Sequence, residues 1–148
     1  MYITNKLKAI LQAMVNSTSS ALKSYQYNDK PTANVQLDRG KESPTALLMQ
    51  ITDWKIDVST GIAREQCQAN VSFLVNDSQL DNQANKQEGY IDIAFGLAKQ
   101  FISSVLNDPA LAVDEDTIDV KSVFMRSDSN RSGVNVQLTI SQKQGSCI

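Results

Sequence analysis

The chain has 148 residues, of which 14 are basic and 16 acidic, so its net charge is −2, and it contains no histidine. This length matches one domain over residues 1–148, which buries about 70% of its unfolded surface. The near-neutral charge excludes a general attraction to nucleic acid, and the missing histidine excludes Ser-His-Asp and Cys-His catalysis and most catalytic zinc sites. We expect no signal peptide, metal or other cofactor.

The first predicted element is an amphipathic helix over residues 4–23, in which the hydroxyl of Thr4 is the expected N-cap. Its apolar side chains recur at spacings of three and four and include Leu7, Ile10, Leu11, Met14, Val15 and Leu22. Two prolines and a glycine then interrupt the helical pattern, so we predict that residues 24–45 are largely loop, with room for one short strand at 33–37.

A long β-hairpin follows, because the apolar pattern changes to a period of two. In its first strand the apolar positions are Leu47, Met49 and Ile51, and then Trp54, Ile56 and Val58. The change of parity between these two sets predicts a β-bulge near Thr52–Asp53, since a slip of one residue would otherwise turn every later side chain to the opposite face. The second strand, residues 65–75, alternates more regularly.

The longest apolar segment predicts a helix over residues 88–106 with an unusually wide apolar face. Charged and amide side chains interrupt it too often for a membrane span. We therefore expect it to bury one side against a sheet and the other against the first helix or another subunit. Two further strands, 118–126 and 133–141, follow an acidic connector, and residues 142–148 are expected to form a flexible tail.

Few side chains suggest chemistry. Cys67 lies on the apolar face of its strand, so we interpret it as a buried, unreactive thiol. Glu88 and Asp92 are one helical turn apart and could form a catalytic carboxylate pair, but the favoured interpretation is that they complement the positive end of the helix. The acidic run that ends at Asp119 lacks the glycine and distal glutamate of an EF-hand, so a solvated loop is the favoured prediction.

The C-terminal third carries adjacent patches of opposite charge, with an acidic connector next to a basic final hairpin. Such a pattern suits head-to-tail contacts between subunits, which close into rings when the rotation permits, although scattered surface charge would look the same. For the single tryptophan, core packing is favoured over a role as an interface anchor. The candidate subunit interface is therefore Asp114, Glu115, Asp116, Lys121, Arg126, Arg131 and Trp54.

These elements predict an α+β fold in which two helices pack on an antiparallel sheet of about four to five strands, in the order α-β-β-α-β-β. The segments "NKLKAILQAMV", "ALLMQITDWKIDVS", "REQCQANVSFLV", "YIDIAFGLAKQFISSVL", "IDVKSVFMR" and "GVNVQLTIS" carry this order. The arrangement resembles the tail terminator or tail completion proteins of long-tailed bacteriophages, and the resemblance covers nearly the whole chain.

The resemblance implies a non-enzymatic virion protein that assembles in the host cytoplasm. It would form a homo-oligomeric ring, usually a hexamer, that caps the tail tube and binds the tail tube protein and the head–tail connector proteins, without specific contacts to nucleic acid or membrane. Three alternatives remain open: a head-closure or neck protein, a non-viral α+β binding module with a ligand pocket, and a hotdog-type acyl-thioester hydrolase in which Glu88 would be the base.

Overall fold

The computed structural model describes residues 2–28, 44–58, 61–76, 84–125, 131–143 and 146–147. Within these ranges the α-helices are α1 (Tyr2–Asn16) and α2 (Ala84–Leu106), and a short 3-10 helix covers Glu115–Thr117. The strands are β1 (Ser24–Asn28), β2 (Thr45–Met49), β3 (Trp54–Asp57), β4 (Ile62–Asn76), β5 (Leu111–Val113), β6 (Asp119–Met125), β7 (Arg131–Gln142) and β8 (Ser146–Cys147). The predicted α+β class is confirmed, with more strands than expected.

The centre of the sheet is the antiparallel pair of β4 and β7, which runs from Gln66–Ser141 at one end to Asn76–Arg131 at the other. On the outer side of β4, β2 pairs along one half and β3 along the other, and β1 extends the sheet as a parallel neighbour of β2. On the outer side of β7, β5 and β6 pair antiparallel with it. The sheet therefore has β1 and β3 at one edge and β5 and β6 at the opposite edge.

Both helices pack on the same face of this sheet and form the main core with it. The period of two in β4 and β7 places their apolar side chains on that face, where the ring of Phe73 lies 5.6 Å from the ring of Phe101 in α2. The apolar stripe of α2 contacts the sheet, and α1 packs beside it, as the wide apolar face predicts. The helical contributors to the core are Ile3, Leu7, Leu11, Met14, Ala94, Leu97, Ala98, Phe101 and Val105.

The opposite face of the sheet is mostly polar, and no helix of the described ranges covers it. We call it the open face. Leu47 and Met49, predicted to share the core face with Ile51, lie instead on the open face in a small cluster with Leu74 and Val123. Ile51 does belong to the main core. The polar side chains of the open face include Gln66, Gln68, Asn70, Asn135, Gln137 and Thr139.

The predicted interruption near Thr52–Asp53 is present, but its geometry differs from the expected bulge. Leu48 stands opposite Val71, and Trp54 stands opposite Cys67. The chain between Leu48 and Trp54 is therefore two residues longer than the part of β4 that it pairs with. An even number of extra residues keeps the parity of the faces. Leu48 and Trp54 therefore both face the helices, and the inferred change of parity was wrong.

The helices begin earlier than predicted, which changes the roles of several polar side chains. Thr4 is not an N-cap, because it is buried within α1, and the backbone N–H of Tyr2 donates instead to Oε2 of Glu65 at 3.2 Å. A carboxylate at this position suits both an orphan amide and the positive end of the helix. Because α2 begins at Ala84, Glu88 and Asp92 lie beyond its first turn and do not complement its N-terminus.

Two short strands occupy segments that were predicted to lack structure. β1 lies within the predicted loop 24–45, and β8 pairs with Ile62–Ala63 within the predicted flexible tail. The strand expected at 33–37 lies outside the described residues. No helix in the described ranges is both long enough and apolar enough to span a membrane.

Candidate subunit interface

The two edges of the sheet differ in shape and chemistry. At one edge, the segment 54–58, which we call the β3 edge, exposes Lys55, Ile56, Asp57 and Val58. Ile56 and Val58 are 69% and 56% exposed, more than any other large apolar side chain in the described residues. Exposed apolar side chains on a strand that forms a sheet edge are typical of a site where another chain binds.

Trp54 fixes the β3 edge to the body of the protein. Its side chain is half-buried and packs against the main core, and its indole N–H donates to the backbone carbonyl of Ile51 at 3.2 Å. The expected core packing of Trp54 is therefore present. Because Trp54 holds the start of β3 in place, the more exposed residues that follow it are presented on an ordered strand.

At the other edge, the segment 114–119, which we call the acidic edge, is held on β7 by two hydrogen bonds and is ordered by a third within the segment. The backbone N–H of Asp114 donates to the carbonyl of Thr139 at 3.1 Å. The hydroxyl of Thr117 donates to the carbonyl of Asp114 at 2.7 Å and accepts from the N–H of Thr139 at 3.3 Å. These bonds order the 3-10 helix at the edge of the sheet.

All four carboxylates of the acidic edge are exposed, as the prediction of a solvated run requires. They belong to Asp114, Glu115, Asp116 and Asp119. The described part of the chain holds no group of three or more His, Cys, Asp or Glu side chains that could bind a metal ion. The acidic edge is therefore a surface of negative charge on an ordered backbone.

The basic patch predicted on the final hairpin is not assembled as expected. Lys121 is exposed, but its Nζ lies 3.4 Å from Oδ2 of Asp119. Arg131 is only 1% exposed, so the expectation that it lies at the surface was wrong. The physical reason is that β7 begins at Arg131, which places this residue in the sheet opposite Asn76 and not in the turn. Arg126 lies outside the described residues.

Positive charge is found instead at the opposite edge of the sheet, on lysines that the predicted interface did not include. Lys55 is exposed on β3, and Lys23 is exposed just before β1. Nearby, Nζ of Lys8 lies 4.0 Å from the ring centroid of Tyr27. A signal for Lys55 is present in the sequence, since it alternates with Trp54 and Ile56 and so must project from the opposite face of the strand.

The thiol of Cys67 and the carboxylate of Glu88 do not form a reactive site. Cys67 is buried, and burial together with the charge of Glu65 raises the pKa of its thiol from 9.0 to about 12. A cavity of about 550 Å³ lies beside it at the break between β2 and β3. A groove of about 650 Å³ lies between α1 and α2. Glu88 lines neither and is exposed on α2.

No protein-family model matches this chain, and no curated protein is significantly similar to it in sequence. Its function must therefore be inferred from the two sheet edges and from the charges that they carry.

Proposed function

We propose that this protein is a structural component of a bacteriophage tail, which forms a ring on the end of the tail tube in the manner of tail terminator proteins. The confirmed α+β class is the one that this role implies. The observation that carries the proposal is the relative position of the two sheet edges. They share a cross-strand row of paired residues, and Lys55 of the β3 edge, which lies between the exposed Asp53 and Asp57, is the cation available to the acidic edge.

One cross-strand row of residues connects the two edges. Trp54 stands opposite Cys67, Cys67 stands opposite Ile140, and Ile140 stands opposite Val113. Lys55 directly follows the first residue of this row, and Asp114 directly follows the last. Because β3 and β5 run in opposite directions, Lys55 and Asp114 lie on opposite sides of this row and are about two residues, or ~7 Å, apart along the strands.

A contact between two different patches of identical subunits is heterologous. It gives a closed ring if each subunit is related to the next by rotation alone, and a filament if each subunit is also displaced along the rotation axis. Edges that share a row need little displacement along that axis, so they favour a ring. Opposite charges set the direction and register of the contact. The exposed side chains of Ile56 and Val58 supply apolar area to it.

In this proposal the tail tube protein binds one rim of the ring and the head–tail connector proteins bind the other. Each rim is formed by the ends of the strands. The ring thus ends tube growth by covering the last layer of tube subunits. A head-closure or neck protein would use the same subunit contact and would differ in the component that its rims bind.

One observation favours a second candidate, a binding module outside any virion. The groove between α1 and α2 is lined by five serines together with Lys99 and Gln100. Several of these hydroxyls already form bonds within the chain, as between Oγ of Ser17 and Oγ of Ser19 at 2.8 Å. The groove therefore presents few open polar groups, which makes this the weaker candidate.

Charge reversal at the β3 edge tests the proposal. Lys55→Glu places like charges at the subunit contact, and we expect it to weaken ring formation and tube-end binding about tenfold or more. The double variant Lys55→Glu with Asp114→Lys should restore both. Lys99→Glu, a reversal of an exposed lysine on α2, is the matched control and should have no effect on the ring.

Assembly can be followed by light scattering coupled to size exclusion, and tube-end binding by electron microscopy. The tubes would be assembled from the tube protein encoded nearest to this gene. If Lys55→Glu assembles and binds tube ends as wild type does, the contact is not the one proposed. If only Lys99→Glu alters behaviour, and does so by abolishing ligand capture in the groove, the binding module becomes the better account.

A further inference from the structure

We infer that this chain is an internal repeat, in which two equivalent copies of one α-β-β-β unit share the sheet about a twofold axis, so that the open face carries the same charged corner twice. The first unit comprises α1, β2, β3 and β4, and the second comprises α2, β5, β6 and β7. β1 and β8 stand outside this correspondence, and so do the carboxylates of residues 114–116. The inference concerns the architecture of one chain and does not depend on the proposed ring.

The three strands of each unit pair in the same order. The last strand of the unit, β4 or β7, is central. β3 pairs with β4 over residues 64–67, and β2 pairs with it over residues 71–74. In the second unit, β6 pairs with β7 over residues 131–137, and β5 pairs with it over residues 140–142. In both units the strand just before the central one therefore pairs towards its start, and the strand before that pairs towards its end.

The two central strands place the axis. Because β4 and β7 are antiparallel neighbours, a twofold axis perpendicular to the sheet exchanges them. The pairing of β2 ends at Val71 and that of β5 ends at Ile140, so these two residues correspond. The same shift along the sequence carries Ala69 onto Leu138. These two residues stand directly opposite each other, so the axis passes between them.

The helices follow the same axis. A rotation about an axis perpendicular to the sheet keeps both helices on one face and makes them antiparallel, and both do pack on one face. At the start of α1, Nζ of Lys6 lies 3.4 Å from Oδ2 of Asp108, just beyond the end of α2. Just beyond the end of α1, Ser17 shares a groove with Lys99, which lies earlier in α2. α1 and α2 are therefore antiparallel, as two equivalent units require.

The central strands of the two units match in sequence at corresponding positions. Residues 66–72 of β4 read "QCQANVS", and residues 135–141 of β7, which the same shift assigns to them, read "NVQLTIS". Alternation of polar and apolar residues alone would match any two half-buried strands. Here, in addition, both segments have glutamine at their third position and serine at their last.

The segments before the central strands repeat a charged pair. Residues 53–55 read "DWK" and residues 119–121 read "DVK". The lysines also correspond in register, because Lys55 stands opposite Gln66 and Lys121 stands opposite Asn135. The open face therefore presents the same carboxylate, ammonium and amide groups at two corners. One corner is formed by Asp53, Lys55, Gln66 and Gln68, and the other by Asp119, Lys121, Asn135 and Gln137.

Exchange of the two residues at the axis tests the repeat. Ala69 and Leu138 are both fully buried. Leu138→Ala alone leaves a cavity and should raise the unfolding equilibrium constant at least about thirtyfold, and Ala69→Leu alone overpacks the ladder and should raise it about tenfold. Because the axis makes the surroundings of the two positions equivalent, the double variant Ala69→Leu with Leu138→Ala should return the constant to within about fivefold of the wild-type value.

The matched control exchanges Phe73 and Val134. These residues also stand opposite each other and are buried, but the axis does not relate them. Because the ring of Phe73 packs against the ring of Phe101 in α2, Phe73→Val with Val134→Phe should not restore stability. Urea denaturation followed by circular dichroism measures all of these variants.

The outcomes separate the repeat from a simple trade of volume between neighbours. Recovery at the axis without recovery in the control supports the repeat. A double variant at positions 69 and 138 that is as unstable as the two single effects combined overturns it, and so does equal recovery in the control. If the exchanged chain does not fold, Ala69→Val with Leu138→Val makes the two positions identical and decides in the same way, with Phe73→Leu and Val134→Leu as its control.

Discussion

At the scale of single residues, Cys67 shows how its surroundings determine the reactivity of a side chain. It is buried in the main core beside Ala69 and Val71, close to the charge of Glu65. Thiolate is the reactive form of cysteine, and both burial and a nearby negative charge oppose its formation. The thiol therefore contributes to packing and does not act as a nucleophile near neutral pH.

We predict that Cys67 reacts with thiol reagents only in the unfolded chain. In a Cys147→Ser variant at about pH 8, labelling should be at least about a hundredfold slower without urea than with it. The pKa of this thiol is about 12 in the folded protein and is ordinarily 9.0. Its contribution to stability is thus fully present below pH 9 and is lost as the pH rises towards 12. Rapid labelling of the native protein would contradict this account.

Arg131 and Lys55 show which part of the candidate interface could be predicted from the sequence. The acidic edge could be predicted, because consecutive carboxylates are rarely buried. The position of its basic counterpart could not, because it depends on where β7 begins and on which strands form the outer edges. Arg131 is buried at the end of the β4–β7 ladder, whereas Lys55 is exposed on an edge strand. Both facts follow from pairing between distant segments.

At the scale of elements, the two central strands approach each other closely at Gly133. A Cβ atom at this position would collide with the backbone carbonyl of Phe73 on β4. Backbone atoms of a central ladder cannot move aside without separating the strands. In α2, by contrast, a Cβ atom at Gly96 would have nothing within 4 Å.

Alanine substitution at these two glycines should therefore have opposite effects. Gly133→Ala should lower the free energy of unfolding by at least about 2 kcal/mol, because it overpacks a rigid contact. Gly96→Ala should raise it by about 0.5–1 kcal/mol, because alanine is the better helix former at an exposed site. Urea denaturation monitored by circular dichroism measures both. Equal effects at the two sites would mean that β4 and β7 are not as closely packed as described.

The elements that could be predicted are those whose pattern is local and long. β4 and β7 alternate over many residues, and α2 has a continuous apolar face, so each was found to within a few residues of its ends, apart from the N-terminus of α2. β1 and β8 were missed because they are short and depend on distant partners, with β1 pairing to β2 across the loop and β8 to Ile62–Ala63. Alternation also could not distinguish one extra residue from two between β2 and β3.

At the scale of the whole molecule, the sheet links two edges whose chemistry differs. The helices cover one face and the open face is mostly polar. Among the described residues, the most exposed large apolar side chains lie on the β3 edge, and a run of exposed carboxylates lies on the acidic edge. The two edges lie at a similar position along the strands because of the registers of all the strands between them. No single segment of the sequence determines that position. This property supports a ring more directly than the order of elements does.

The absolute mass of the assembled protein tests this central claim most directly. Light scattering coupled to size exclusion, with and without tail tubes, measures the mass, and electron microscopy of the same fractions shows the form of the assembly. We predict one closed ring, a hexamer, whose mass does not increase with concentration and which appears on tube ends. A chain that remains monomeric at every concentration and leaves tube ends bare, or one that grows into open filaments, would contradict the account.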